Sequence, residues 1–115
     1  MVKALLHIEG LFVLILSLTV YANQEFSWFL FIVLLFLPDL SMVGYLFSNK
    51  VGAFLYNTFH TYSLAIIVLI LGSMLQNETI IAVGFILTAH IGMDRMLGYG
   101  LKYPTDFKDT HLNRI

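Results

Sequence analysis

The feature that most constrains this chain is a set of four apolar blocks, separated by polar breaks too short to hold any structure of their own. The blocks run over residues 2–21, 26–47, 51–75 and 80–101, with breaks at 22–25, 48–50 and 76–79. Each block holds about 20 residues, which at ~1.5 Å per residue of helix covers a hydrocarbon layer of ~30 Å. Apolar residues make up 59% of the 115 positions and charged residues 11%, too few to cover a water-facing surface around a core of this size. The expectation is an all-α, polytopic membrane protein in which short breaks make neighbouring spans antiparallel, giving one four-helix transmembrane domain over residues 1–115. Four strands without alternation cannot close a barrel. Only the tail, 102–115, is polar enough to lie in water. The first block starts like a secretory signal, but Glu9 interrupts it and no small-x-small cleavage site follows, so it reads as a retained span.

Charge sets the expected orientation. Lys3 precedes the first block, Lys50 sits in the middle break, and Lys102, Lys108 and Arg114 follow the last block, whereas the other two breaks carry Glu25 and Glu78 and no cation. By the positive-inside rule both termini and the middle break face the cytoplasm, in a cell (inner) membrane. There is no cysteine, which removes disulfide and thiolate chemistry, and no basic run that would engage nucleic acid.

With that orientation the polar residues inside the spans collect at one depth, toward the cytoplasm: His7 and Glu9, then Asp39, then Asn57 and His60, then His90, Asp94 and Arg95. An ionisable group in hydrocarbon costs ~2.5–3.5 kcal/mol on insertion scales, so such groups usually face the bundle interior and carry a task. His90 and Asp94 are four apart and share a helix face, as do Tyr56 and His60. An isolated pair of this kind more often hides two polar groups in a hydrogen bond; four helices converging at one depth favour a shared site. Asp39 follows Pro38, whose missing N–H kinks the span and opens a place for a carboxylate, either in a cavity or in an ion pair with Arg95.

The expected metal ligands are therefore Asp39, His60, His90 and Asp94, with Glu9 as a candidate fifth. Tyr56, Asn57 and Arg95 are expected to orient the ligands or anchor a substrate. Two imidazoles and two carboxylates suit Zn, Mn or Fe, and a water on such a metal becomes a nucleophile near neutral pH. A lipid headgroup or lipid-linked phosphate is the natural substrate, with Arg95 and Lys102 as cations for its phosphate; Asp39 and Asp94 are the candidate catalytic groups. Three rival readings use the same residues: a proton or ion relay that needs an oligomer to cross the membrane, a haem held by His60 and His90, and an accessory subunit whose polar cluster fixes helix register. His111 in the tail is expected to be solvated.

The segments Pro38-Asp39-Leu40-Ser41-Met42, Tyr56-Asn57 with His60, and His90 through Tyr103 together resemble the domain-of-unknown-function family 4260, small bacterial integral membrane proteins. The resemblance extends to Glu9-Gly10 and Thr110-His111-Leu112 and implies a bacterial four-helix membrane protein without bringing an activity. The Pro-Asp pair and the intramembrane histidines are also similar to those of membrane-bound metal-dependent hydrolases.

Overall fold

A computed structural model describes residues 1–115. The chain is all-α: α1 (Val2–Asn23), α2 (Trp28–Leu34), a 3₁₀ helix (Leu37–Leu46), α3 (Asn49–Phe59), α4 (Tyr62–Met74) and α5 (Glu78–Leu97). Side chains mark most of the starts. Ser27, Ser48, Thr61 and Asn77 each accept a hydrogen bond from a backbone N–H in the first turn that follows them. Gly98, at φ 96°, closes α5 in the left-handed conformation, and the Tyr99 N–H reaches back to the Asp94 carbonyl.

Burial is inverted relative to a water-soluble domain. Many large apolar side chains point outward, Phe29 (80%), Ile32 (72%) and Leu46 (83%) among them, while the interior holds Gly, Ala and Ser and a few large side chains such as Tyr21, Phe31 and Ile86, together with His60, His90, Asp94 and Arg95. A solvent of lipid gives Leu or Phe no reason to turn inward, so small residues that let backbones approach take the helix contacts. Val2–Asn23, Trp28–Leu46 and Glu78–Leu97 are each long and apolar enough to cross a membrane. The pair α3 and α4, bent by 42° between them, makes a fourth if counted as one broken span.

α5 is the central element, packed along α1 on one side and α4 on another, while the 3₁₀ helix packs on α3. α1 lies close on α5: a Cβ at Gly10 would stand 2.6 Å from the Met96 nitrogen and 2.7 Å from the Gly92 carbonyl oxygen.

Two expected spans depart from simple helices. In the second, Pro38 does more than kink: α2 stops at Leu34 and the chain continues as a 3₁₀ helix with the proline in its first turn. At three residues per turn, positions three apart eclipse one another. Pro38, Ser41 and Gly44 form the buried stripe, Leu37, Leu40, Val43 and Leu46 the exposed one, and Asp39, Met42 and Tyr45 the stripe between them. The third span, expected as one helix over 51–75, breaks at His60 and Thr61. Thr61 turns extended to cap α4, and the His60 carbonyl, released from the helix ladder, accepts a hydrogen bond from Arg95 Nη2 at 2.9 Å.

The tail is folded, not free in water. The Tyr103 N–H donates to the Asp109 carbonyl and the His111 N–H to the Leu101 carbonyl, across a bridge between Lys102 and Thr110. Leu112 is fully buried. Asp109 accepts from Arg114 and Thr105, which hold its carboxyl down at about 2. The expected solvated His111 is instead built in: its Nδ1 accepts the Leu101 N–H at 2.8 Å, and the ring lies where a Cβ on Gly100 would collide with it.

Candidate metal centre

Asp39 comes from the middle stripe of the 3₁₀ helix, His60 from the break between α3 and α4, and His90 and Asp94 from consecutive turns of α5. The four meet at one point, each offering a ligand atom within 4.8 Å of all the others. His60 Nε2 is 3.1 Å from Asp39 Oδ1, 3.1 Å from His90 Nε2 and 3.5 Å from Asp94 Oδ2. His90 Nε2 is 3.2 Å from Asp39 Oδ1 and 3.1 Å from Asp94 Oδ2. Four donors at ~2.0–2.1 Å from a tetrahedral ion stand about 3.3–3.4 Å from one another, so a group with these separations could hold a metal ion.

The proton on His60 is fixed by its other nitrogen. Nδ1 lies 2.8 Å from the Tyr56 carbonyl, which can only accept, so Nδ1 carries the proton and the neutral ring presents a bare Nε2. That lone pair faces the second imidazole and two carboxylate oxygens. Protonating both rings would set two imidazolium nitrogens 3.1 Å apart. A single cation at the centre could be shared by all four groups.

Tyr56 also lies flat on the His60 ring, centroids 3.7 Å apart and planes within 4°, which fixes the ring's rotation. His90 is held less completely: Phe36 meets it edge-on, and its buried Nδ1 has no hydrogen-bond partner. Both imidazoles are fully buried, while 32% of the Asp39 side chain is exposed. A cavity of about 350 Å³ opens on that side, with Asp39 and Asp94 in its wall together with Met42, Met93, Lys102 and Phe107. The Lys102 ammonium donates to the Phe107 carbonyl at 2.7 Å and lies over the Phe107 and Tyr56 rings. Burial pushes this amine below its ordinary value, while Asp94, Asp106 and Asp39 act to raise it.

Other expected roles change. Glu9 is outside the cluster and lines a different cavity, with Arg95. Arg95 neither pairs with Asp39 nor reaches the first cavity: it follows Asp94 on α5, a rotation of about 100°. Its guanidinium instead ties off the broken α3–α4 span through the His60 carbonyl. The Asn57 carbonyl accepts the His60 N–H at 3.2 Å, but its side chain forms no hydrogen bond with the four clustered side chains. Its amide brackets the Lys102 backbone, donating to the carbonyl at 2.8 Å and accepting the N–H at 2.7 Å, so it pins the tail over the site. A bis-imidazole haem has no room, because axial nitrogens on opposite faces of a porphyrin stand about 4 Å apart with the macrocycle between them. Phe107, from the tail, and Tyr99, from the end of the last apolar block, join Lys102 in the cavity wall, and no spacing in the sequence places them there.

No curated protein and no solved structure matches the chain. Residues 3–115 match the model of a family described as a domain of unknown function (DUF4260), and the chain belongs to that family.

Proposed function

We propose that Asp39, His60, His90 and Asp94 bind a divalent metal, Zn, Mn or Fe, and that the site hydrolyses a phosphate ester carried by a lipid. The observation that carries the reading is the meeting of two imidazole Nε2 atoms and two carboxylates at coordination distances, with His60 Nδ1 already committed to the Tyr56 carbonyl. The metal would polarise the phosphoryl oxygen and lower the pKa of a water taken as a further ligand from the cavity side. Asp39, alone among the four in being substantially exposed to the cavity, is placed to take that water's proton. Hydrolysis would join that oxygen to phosphorus, break the ester P–O bond and release the alcohol with the proton that Asp39 took. Lys102 supplies a cation for the phosphate, and Phe36, Met42, Met93 and Leu97 give the cavity an apolar wall for the lipid portion.

The broken span supports four crossings. A re-entrant hairpin must reverse direction, whereas a 42° bend lets α4 continue where α3 was heading. Four crossings place both termini on one side, and the cations at Lys3, Lys50, Lys102, Lys108 and Arg114 make that side the cytoplasm, with the site at the cytoplasmic end. A cytoplasm-dependent reporter fused after Ile115 should be active and one inserted beside Glu78 silent; the reverse pattern would put the site outside.

One observation favours the proton relay. Metal-bound histidines almost always donate their second ring nitrogen to a partner, and His90 Nδ1 has none. Elemental analysis of protein purified in mild detergent without chelators decides between them. The metal reading expects one equivalent of Zn, Mn or Fe per chain. A chain that stays metal-free after each is offered overturns the metal reading, and leaves the relay or a hydrogen-bonded lock.

A further inference from the structure

A second cavity, of about 400 Å³, lies between α1, the start of α4, α5 and the tail. Its wall includes Glu9, Phe12 and Val13 from α1, Tyr62, Arg95 and His111. Arg95 is 8% exposed and forms no ion pair with any carboxylate of the chain. Its two terminal nitrogens each donate once, to the carbonyls of Tyr99 and His60, which leaves Nε–H and the second N–H of each terminal nitrogen without an acceptor. The Tyr62 hydroxyl is buried and also without a partner, and the Arg95 guanidinium lies 5.9 Å from the centre of its ring. His111 adds another donor. Because its Nδ1 accepts the Leu101 N–H, the neutral ring carries its proton on Nε2, and burial beside Arg95 holds the ring below its ordinary pKa. A buried cation and a buried hydroxyl, both short of acceptors, make a receptor for an anion. The one carboxylate in the wall, Glu9, is exposed.

We infer that this cavity binds the headgroup of an amine-bearing phospholipid, with the phosphodiester on Arg95 and Tyr62 and the ammonium on Glu9. The apolar side chains of Phe12 and Val13 supply contact for the glycerol end, and the charge pattern matches a zwitterion: cation and donors inside, carboxylate at the exposed position. The inference is independent of the metal reading, because none of these residues belongs to the metal cluster.

The test is native mass spectrometry of the full chain in detergent, titrated separately with phosphatidylethanolamine, phosphatidylcholine, phosphatidylglycerol and inorganic phosphate. Phosphatidylethanolamine should bind most tightly, since its primary ammonium can donate to Glu9 and a trimethylated one cannot. Glu9→Gln should remove that preference while leaving the binding of phosphatidylglycerol unchanged. Arg95→Gln risks misfolding by releasing the His60 carbonyl, so Tyr62→Phe is the decisive variant. It should weaken every phospholipid by about tenfold, the scale of one charge-assisted hydrogen bond. In the absence of lipid it should leave the melting temperature unchanged or higher, because a buried hydroxyl without a partner is removed. Metal content should not move in either variant. Equal binding of phosphatidylcholine and phosphatidylethanolamine, unaltered lipid binding by Tyr62→Phe, or inorganic phosphate displacing the lipid at equal concentration would each overturn the inference.

Discussion

Replacing His90 with alanine is expected to leave a folded, membrane-inserted protein that no longer holds stoichiometric metal. In the proposed centre the ring would supply one of the two nitrogen ligands, and its Nε2 stands within 3.2 Å of the atoms offered by His60, Asp39 and Asp94. The loss should exceed the roughly 10–100-fold that follows removal of a group that merely orients a ligand. The fold should survive, because α5 is held by its small-residue contacts with α1 and α4 and not by the cluster. If the four residues form a hydrogen-bonded lock instead, the outcome inverts. The wild type carries no metal, and His90→Ala lowers the melting temperature by stripping Asp94 and Asp39 of a partner, a cost of about 1–3 kcal/mol. Asp94→Asn sharpens the comparison, since it keeps the shape and removes the charge. Metal affinity should fall sharply, whereas a hydrogen bond from the His90 ring to the remaining side-chain oxygen would persist.

The meeting of Asp39, His60, His90 and Asp94 was legible because the polar residues shared one depth along otherwise apolar spans, and depth is readable once the spans and charges are placed. What each neighbouring residue does was not, because that depends on rotation about the helix axis and on where helices break. Asp94 and Arg95 are adjacent in sequence and at the same depth, yet they serve different cavities. Glu9 shares that depth also, but α1 presents it beside Arg95, away from the ligands. The break at His60 is invisible to hydropathy: Thr61 is an ordinary residue in a span until its hydroxyl caps α4 and Arg95 claims the freed carbonyl. Pro38 announced a disturbance without its form. The change to three residues per turn shows only in the repeat of Leu37, Leu40, Val43 and Leu46 along the exposed stripe. The tail's fold rests on long-range contacts such as Asn57 with the Lys102 backbone, which no local pattern encodes.

Gly10→Val is expected to cause the largest loss of stability of any single change at a helix contact, while sparing the metal. A side chain at position 10 would meet the Met96 nitrogen at 2.6 Å and the Gly92 carbonyl oxygen at 2.7 Å, both backbone atoms of α5. Backbone cannot rotate away as a side chain can, so α1 and α5 must separate along their shared face. The cost should reach or exceed the upper end of the about 1–3 kcal/mol typical of overpacking. Leu16→Ala serves as the control. That side chain is 63% exposed toward lipid, and its removal should shift the melting temperature little. Metal content separates the consequences. All four proposed ligands come from the 3₁₀ helix, the α3–α4 break and α5, so a displaced α1 should leave an intact, metal-loaded centre in a less stable protein. The headgroup cavity depends on α1 for Glu9, Phe12 and Val13, so phospholipid retention should fall in the same variant. Loss of metal from protein that is still folded would show that α1 supplies a ligand after all, with Glu9 the first residue to test.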